Sequence, residues 1–322
     1  MRYIIYGAGG IGGAIGGKLF KAGHEVVLVC RGEQLAVIRR QGMTLKTPGE
    51  TLQLPIRAVG HPRELVFTDQ DVVILTMKSQ DTEPALRDLE RAGGSDVAII
   101  CCQNGVDNER MAARRFSRVY GMVVWMPATY LEPGLVLNHA TPIGGILDTG
   151  CYPRGVDPLV TQVMADFTAC EFSAKTDPNI MRWKYTKLLS NLRNALQAIC
   201  GLDAAGGEVA RATREEALAC YQAAGIEYVA EEEMRERVQK EIKMASIAGH
   251  PRTGGSTWQS LVRGLPSVEV DYLNGEIVLL GKLHGIPTPY NRTLQRVVSQ
   301  FARTGKQPGS LTVEQLQALV KG

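Results

Sequence analysis

The sequence lacks the features that mark membrane and nucleic-acid-binding proteins. No apolar stretch approaches the roughly 20 residues that a membrane-spanning helix needs. The charges nearly balance, with 36 Lys and Arg against 33 Asp and Glu, and no long basic run occurs. The N-terminus reads as a strand of the fold and not as a signal peptide. We therefore expect neither a membrane nor a nucleic acid among its partners.

The sequence also has few of the patterns that mark metal sites and covalent catalysis. Its seven cysteines are scattered without a C-x-x-C pair, and it has neither H-E-x-x-H nor G-x-S-x-G. Scattered thiols in a chain of 322 residues favour reduced, buried cysteines in a cytoplasmic protein. We predict no metal site, no serine nucleophile and no catalytic role for the five histidines.

The strongest positive signal is the first 31 residues, which read as strand, glycine-rich turn, helix and strand. In G-x-G-x-x-G, the first glycine allows a tight turn, the second lets the backbone approach a pyrophosphate, and the third allows close helix packing. The helix N-terminus offers N–H groups and a positive dipole to phosphates. A glycine-rich turn without a ligand is the less favoured alternative. The predicted dinucleotide loop comprises Gly7, Ala8, Gly9, Gly10, Ile11 and Gly12.

The end of the second strand predicts which nicotinamide cofactor binds. NAD sites usually place Asp or Glu there to bind the ribose 2′-OH, whereas this chain has Arg31. An arginine binds a 2′-phosphate through paired N–H donors, so the sequence favours NADP(H). Two alternatives stay open: Glu33 reaching back to the ribose, and Arg31 as a solvated surface charge.

Further along the first half, polar residues follow two apolar runs at 71–77 and 96–102, which we interpret as buried parallel strands. Lys78 follows the first run, and Asn104 follows the second. In open α/β sheets, ligands bind outside the carboxyl ends of the strands, so both residues are predicted on the edge that carries the glycine loop. The alternatives are a solvated lysine and a turn asparagine.

The order of strand and helix patterns predicts two domains. Strand signals end near residues 170–177, and helical periodicity follows. We predict a Rossmann-type α/β domain with a mostly parallel sheet over residues 1–174, and an all-α domain over 175–322. Other predicted elements are hairpins at 42–56 and 128–139, strands at 119–125 and 142–147, and helices at 34–41, 81–92, 158–167, 180–198, 210–244, 268–284, 291–303 and 311–320.

The helical half has several polar residues, each of which is weak evidence for a functional site when it is considered alone. Lys187 and Asn191 stand four apart on one helix face, where a lysine is usually a surface residue. Glu269 opens a helical segment, as the helix dipole alone would favour, and Ser256 has the properties of an N-cap.

Taken together, these motifs resemble the ketopantoate reductase family. The similarity spans nearly the whole chain, and its second-half motifs are more specific than the glycine loop. The matching stretches are GAGGIG at 7–12, Lys78, QNG at 103–105, Trp183, KLLSN at 187–191, STWQ at 256–259, EVDYLNG at 269–275 and GIPTP at 285–289.

The resemblance implies a Rossmann domain, a helical domain and an active site in the cleft, where NADPH reduces the keto group of a 2-oxo acid. Lys187 would be the general acid, and Glu269 would order the substrate hydroxyl and nearby polar groups. Asn104, Asn191 and Ser256 would position substrate and nicotinamide. A hydride that arrives at a carbonyl leaves negative charge on oxygen, which an ammonium group stabilises and protonates.

This chain departs from the family pattern at two places. The family often has a second asparagine eight residues after the lysine, where this chain has Ala195; Asn194 points about 100° away on a helix. The stretch from Ser256 to Glu269 is one residue longer than is common. Ketopantoate is the favoured substrate, and the rivals are another 2-oxo or 2-hydroxy acid and a non-catalytic NADP(H)-binding regulator. A homodimer is compatible with the resemblance.

Overall fold

The computed structural model describes residues 1–93, 96–251 and 254–321. The chain forms two compact units, Met1–Lys184 with Ala230–Arg252, and Tyr185–Val229 with Thr253–Gly322. The predicted fold class, an α/β part followed by a helical part, is confirmed. The predicted boundary between the two domains lay between residues 174 and 175. The observed units divide the chain differently, since the first unit also includes residues 175–184 and 230–252.

The elements follow one another in an order that begins with strand, helix and strand. The strands are β1 Arg2–Tyr6, β2 Glu25–Val29, β3 Met43–Lys46, β4 Thr51–Leu54, β5 Arg57–Val59, β6 Asp71–Leu75, β7 Ala98–Cys101, β8 Val119–Met122, β9 Ala128–Thr129, β10 Leu135–Asn138, β11 Ala140–Thr141, β12 Thr149–Cys151 and β13 Lys243–Met244. The helices are α1 Gly10–Lys21, α2 Gly32–Gln41, α3 Thr82–Arg91, α4 Asn108–Ala113, α5 Pro158–Ala169, α6 Ile180–Asn191, α7 Arg193–Cys200, α8 Gly207–Ala224, α9 Glu231–Glu241, α10 Ser256–Val262, α11 Asn274–His284, α12 Pro289–Thr304 and α13 Val313–Lys321.

The first unit is built on a seven-stranded sheet of order β12-β8-β7-β6-β1-β2-β5. Every neighbouring pair is parallel except β12 and β8. The chain extends the sheet from β1 through β2 in one direction and from β6 through β7 in the other. The point of reversal lies between β1 and β6, where ligands bind in sheets of this kind.

A second sheet of order β4-β3-β10-β9 includes both predicted hairpins. Helix α1 packs closely on it: a Cβ on Gly13 would lie 2.5 Å from Val136 Cγ2. On the main sheet, a Cβ on Gly16 would lie 3.0 Å from Leu28 Cδ2. The glycines of α1 beyond the motif therefore serve close packing between helix and sheets.

The predicted strand at 142–147 is wrong, because only an isolated bridge at Ile146 falls within that range. Pro142 has no N–H to donate to a ladder, and two glycines follow shortly after it. The short strand before it, β11, pairs instead with β13.

The second unit is a helical bundle whose core is formed by apolar residues of α7, α8, α10, α12 and α13. The single helix predicted at 210–244 is wrong: α8 ends where Gly225 adopts a left-handed φ of 64° and returns its N–H to the last turn. The helix predicted at 180–198 is interrupted at Leu192, and that predicted at 268–284 begins as a 3-10 turn.

Among the residues that the structure describes, no helix is both long and apolar enough to cross a membrane. The same residues include no group of three or more His, Cys, Asp or Glu side chains that could hold a metal ion.

Candidate functional site

Two glycines of the loop between β1 and α1 are required by the protein's own packing. Gly7 has a φ of 113°, and a Cβ there would lie 2.6 Å from the backbone N of Met77. A Cβ on Gly12 would lie 2.2 Å from the carbonyl O of Gly7. These positions make the tight turn and the close approach of helix to strand that the motif predicts.

Gly9 is different, because no contact among the described residues requires a glycine there. Its φ of −87° and ψ of −155° suit any residue, and a Cβ would have Tyr130 Cδ1, at 4.0 Å, as its nearest neighbour. The space in front of Gly9 is therefore open at the N-terminus of α1. Helix α1 has no acidic residue in its first turn, so its dipole favours an anion there. A dinucleotide pyrophosphate fits this cradle.

A buried glutamine that sequence reasoning missed holds the loop in place. Gln34 Nε2 donates to the carbonyl O of Ala8 at 2.7 Å, and its Oε1 accepts from the backbone N–H of Gly134 at 2.6 Å. Gln34 thereby joins the glycine loop to the turn between β9 and β10. No sequence signal identifies it, because Gly134 lies 100 residues further along the chain.

Arg31 lies at the carboxyl end of β2, at the N-cap position of α2, with 85% of its side chain exposed. Its Nη2 donates to Asp81 Oδ1 at 3.0 Å. The guanidinium is thus accessible to an incoming anion, although one of its N–H groups already donates a hydrogen bond to a carboxylate. Sequence reasoning missed Asp81 as a partner of this residue.

The loops that follow β6 and β7 are fastened to each other by a buried polar network. Asn108 Nδ2 donates to Ser79 Oγ at 3.0 Å and to the carbonyl O of Asn104 at 3.2 Å. Thr82 Oγ1 donates to Asn108 Oδ1 at 2.8 Å. Lys78 directly precedes Ser79, so the network sets the positions of the loops that carry Lys78 and Asn104.

A second lysine, Lys184, is buried at the same edge of the sheet. It forms an ion pair with the buried Glu109, and its Nζ donates to the carbonyl oxygens of Cys101 at 3.2 Å and Gln103 at 3.0 Å. These contacts tie the start of α6 to the end of β7. Lys184 therefore has a structural role next to Asn104.

In the second unit, Lys187 is a half-buried residue of α6. Burial lowers the pKa of its amine to about 7, and repulsion by Arg193 lowers it further in the same direction. A fully solvated lysine would keep a pKa near the ordinary value, because its amine stays in contact with water. A pKa near the operating pH is what a general acid needs.

Among the buried polar atoms of this unit that lack a hydrogen-bond partner in the described residues, two belong to residues that the sequence predicted for the site. They are Nδ2 of Asn191, whose side chain is 3% exposed, and Oγ of Ser256. An unsatisfied buried polar group costs about 1–3 kcal/mol, so such groups in a native protein call for an explanation. A bound polar ligand would satisfy both.

The break between α6 and α7 determines where Asn191 lies. Asn274 Nδ2 donates to the carbonyl O of Leu192 at 3.2 Å and to Asn291 Oδ1 at 3.0 Å. Asn274 follows the 3-10 turn that Glu269 opens, and Glu269 is 4% exposed. Sequence reasoning assigned no role to Asn274 or Asn291.

Two sequence profiles match the chain. Residues 3–153 match the profile described as ketopantoate reductase PanE/ApbA, and residues 179–302 match its C-terminal counterpart. The 2-dehydropantoate 2-reductase of Pyrococcus horikoshii is 28% identical over 312 residues, which are 92% of this chain and 96% of that protein.

Solved structures have the same fold. A PanE/ApbA family ketopantoate reductase from Ralstonia eutropha JMP134 superposes with a TM-score of 0.79 at 28% identity, over 95% of this chain and all of that one. D-mandelate dehydrogenase, solved with NADH and anilino(oxo)acetate, shares the fold with a TM-score of 0.81 at 22% identity, over 95% of this chain and 99% of that one. With both profiles matched over most of its length, this chain belongs to the ketopantoate reductase family of oxidoreductases.

Proposed function

We propose that this chain reduces ketopantoate to pantoate with NADPH. The observation that carries the proposal is the amine of Lys187, whose pKa is lowered to about 7 by burial. A proton donor of that pKa suits the protonation of an alkoxide at neutral pH. The name of the Pyrococcus horikoshii relative supports ketopantoate as the substrate.

The second unit supplies the groups that act on the substrate. Lys187 stabilises the negative charge that develops on the keto oxygen and donates the proton that completes the hydroxyl group. Asn191 Nδ2 and Ser256 Oγ are the buried donors that the 2-oxo acid would satisfy. Glu269 orders the substrate hydroxyl and the polar groups near it.

The first unit supplies the groups that hold the cofactor. The loop from Gly7 to Gly12 and the N-terminus of α1 bind the pyrophosphate, and Arg31 binds the 2′-phosphate. Lys78 and Asn104 contact the cofactor from the loops after β6 and β7. The reduced nicotinamide, when bound, supplies the hydride.

The test is the consumption of NADPH by the purified protein with ketopantoate and with a panel of other 2-oxo acids. Turnover of ketopantoate above the others supports the proposal. Higher turnover of another 2-oxo acid assigns a different substrate, and tight NADPH binding without any turnover indicates a regulator.

Arg31→Ala is expected to raise the KM for NADPH about tenfold and to leave the KM for NADH nearly unchanged. The lost group is a charged hydrogen-bond donor worth about 1.5 kcal/mol or more to a phosphate, which NADH lacks. Asp81→Asn is the matched variant: it removes the competing carboxylate at 3.0 Å and should lower the KM for NADPH. Equal use of NADH and NADPH by the wild type would rule out this assignment of Arg31.

The rate of reduction is expected to fall as the pH rises through about 7, because only the protonated Lys187 amine donates a proton. Below that pH kcat/KM should be level, and above it kcat/KM should fall about tenfold per pH unit. Arg193→Ala removes the repulsion that helps to lower the Lys187 pKa, so the fall should move to higher pH. The measurement is kcat/KM between about pH 5 and 9 for both proteins. An identical profile in the two would argue against Lys187 as the titrating group.

A further inference from the structure

The carbonyl oxygens of Gly7, Ala8 and Gly9 in the glycine loop each accept a hydrogen bond from the protein. The donors lie at 2.7 Å in each case and are, in that order, Thr76 Oγ1, Gln34 Nε2 and the backbone N–H of Gly13. A carbonyl oxygen carries partial negative charge, so one that faced a pyrophosphate would repel it. Since the first turn of an α-helix has N–H groups without an intrahelical acceptor, the loop and α1 together offer donors to an anion and withhold acceptors.

The Ala8 carbonyl depends on Gln34 for its partner. Ala8 is 3% exposed and Gln34 is 7% exposed, so water has little access to the hydrogen bond between them. A buried carbonyl that loses its donor is costly, and the loop would relieve that cost by moving the peptide bond between Ala8 and Gly9. Glycine at position 9 makes this movement easy, because it adopts positive and negative φ equally well. The position of Gly9, which the pyrophosphate approaches, is therefore set in part by Gln34.

Both partners of Gln34 are backbone groups, which determine the orientation of its amide. The Gly134 N–H can only donate, and the Ala8 carbonyl can only accept. A carboxylate of the same shape could accept from Gly134 but could not donate to Ala8. Gly134 has a φ of 79°, and a Cβ there would lie 2.4 Å from Val37 Cγ1 of the same helix, α2. The turn backbone thus lies directly against α2, and one amide spans the space to the loop.

The turn that Gln34 reaches belongs to the β9–β10 hairpin, which lies beside the glycine loop. A Cβ on Gly10 would lie 3.3 Å from the carbonyl C of Ala128, and the atom nearest to a Cβ on Gly9 is Tyr130 Cδ1. The hairpin therefore borders the open space in front of Gly9. Gln34 fixes the separation of the loop from this hairpin, because its amide is bonded to both.

We propose that Gln34 is a positioning residue for the pyrophosphate of the cofactor. Its amide keeps the Ala8 carbonyl turned away from the phosphates and holds the loop at the separation from the hairpin that the pyrophosphate needs. Gln34 acts through Ala8 and Gly134 and not by contact with the cofactor. This inference rests on the proposed function, in which NADP(H) binds at the glycine loop.

The test compares NADP⁺ with adenosine 2′-monophosphate, which has the adenosine and the 2′-phosphate but no pyrophosphate. Gln34→Met removes both hydrogen bonds and should lower the affinity for NADP⁺ about 10- to 100-fold. The affinity for adenosine 2′-monophosphate should change less than about threefold, since Arg31 is untouched. Arg31 and Gln34 both lie at the start of α2, so general damage to that helix would weaken both ligands. Isothermal titration calorimetry measures the two affinities.

Gln34→Glu is the second variant, and it decides the question if Gln34→Met does not fold. It keeps the acceptor for the Gly134 N–H and loses only the donor to Ala8, so it should lower the affinity for NADP⁺ at least as much. Its matched control, Gln41→Glu, adds the same charge at an exposed position of α2 and should change that affinity less than about threefold.

Three outcomes would contradict these expectations. Unchanged affinity for NADP⁺ in the Gln34 variants would overturn the role of Gln34, and so would equal losses for both ligands in Gln34→Met. A wild type that binds neither ligand would instead overturn the proposed cofactor site.

Discussion

Lys187→Ala is expected to lower kcat for ketopantoate by about 10²–10⁴-fold, the range over which a general acid contributes. The loss should appear mainly in kcat, because the interaction strengthens as the alkoxide forms and is weak in the ground state. Affinity for NADPH should survive, since the variant leaves the glycine loop and Arg31 intact. Steady-state kinetics and a fluorescence titration with NADPH measure the two effects separately.

The matched control for this variant is Lys282→Ala, which removes an exposed lysine of α11 in the same unit. A surface substitution of this kind usually changes stability by less than about 0.5 kcal/mol, and kcat should not change. If Lys187→Ala retains a near wild-type kcat on its best substrate, Lys187 is not the proton donor. The lowered pKa of its amine would then need another explanation.

Gly9→Val is expected to abolish the binding of NADPH while the protein stays folded. The valine side chain fills the open space in front of Gly9 and prevents the pyrophosphate from approaching the backbone. Two lost charge-assisted hydrogen bonds at about 1.5 kcal/mol each correspond to at least a 100-fold loss of affinity. The fold should survive, because the nearest atom that a Cβ at Gly9 would meet in the described part of the chain, apart from its sequence neighbours, is Tyr130 Cδ1 at 4.0 Å.

Gly12→Ala distinguishes this effect from a general failure of the loop. A Cβ on Gly12 would lie 2.2 Å from the carbonyl O of Gly7, so this smaller substitution should lower the melting temperature, as Gly9→Val should not. Fluorescence titration with NADPH and thermal unfolding of both variants test the contrast. Unchanged NADPH affinity in Gly9→Val would exclude the loop as the pyrophosphate site.

Local patterns in the sequence were enough to predict the elements whose causes are local. The βαβ unit of the first 31 residues and the buried strands β6 and β7 follow from periodicity and glycine placement, which act over a few residues. The error at 210–244 also has a local cause. The left-handed Gly225 ends α8 inside a long charged, amphipathic stretch, and the prediction followed the helical pattern of that stretch past this glycine.

The sequence by itself determined the fold class, the family and the residue types available for chemistry, because these depend on spacing along the chain. Only the tertiary structure decided which residues contact each other. Gln34 donates a hydrogen bond to the Ala8 carbonyl, Arg31 forms an ion pair with Asp81, and Asn194 lies next to Gly255. It also decided the pKa of Lys187, since desolvation depends on the atoms that surround the amine in space. The residues that contact each other here are 26 to 61 positions apart, and such contacts produce no repeating pattern in the sequence. The partners of a side chain and the polarity of its surroundings are therefore set only when the chain folds.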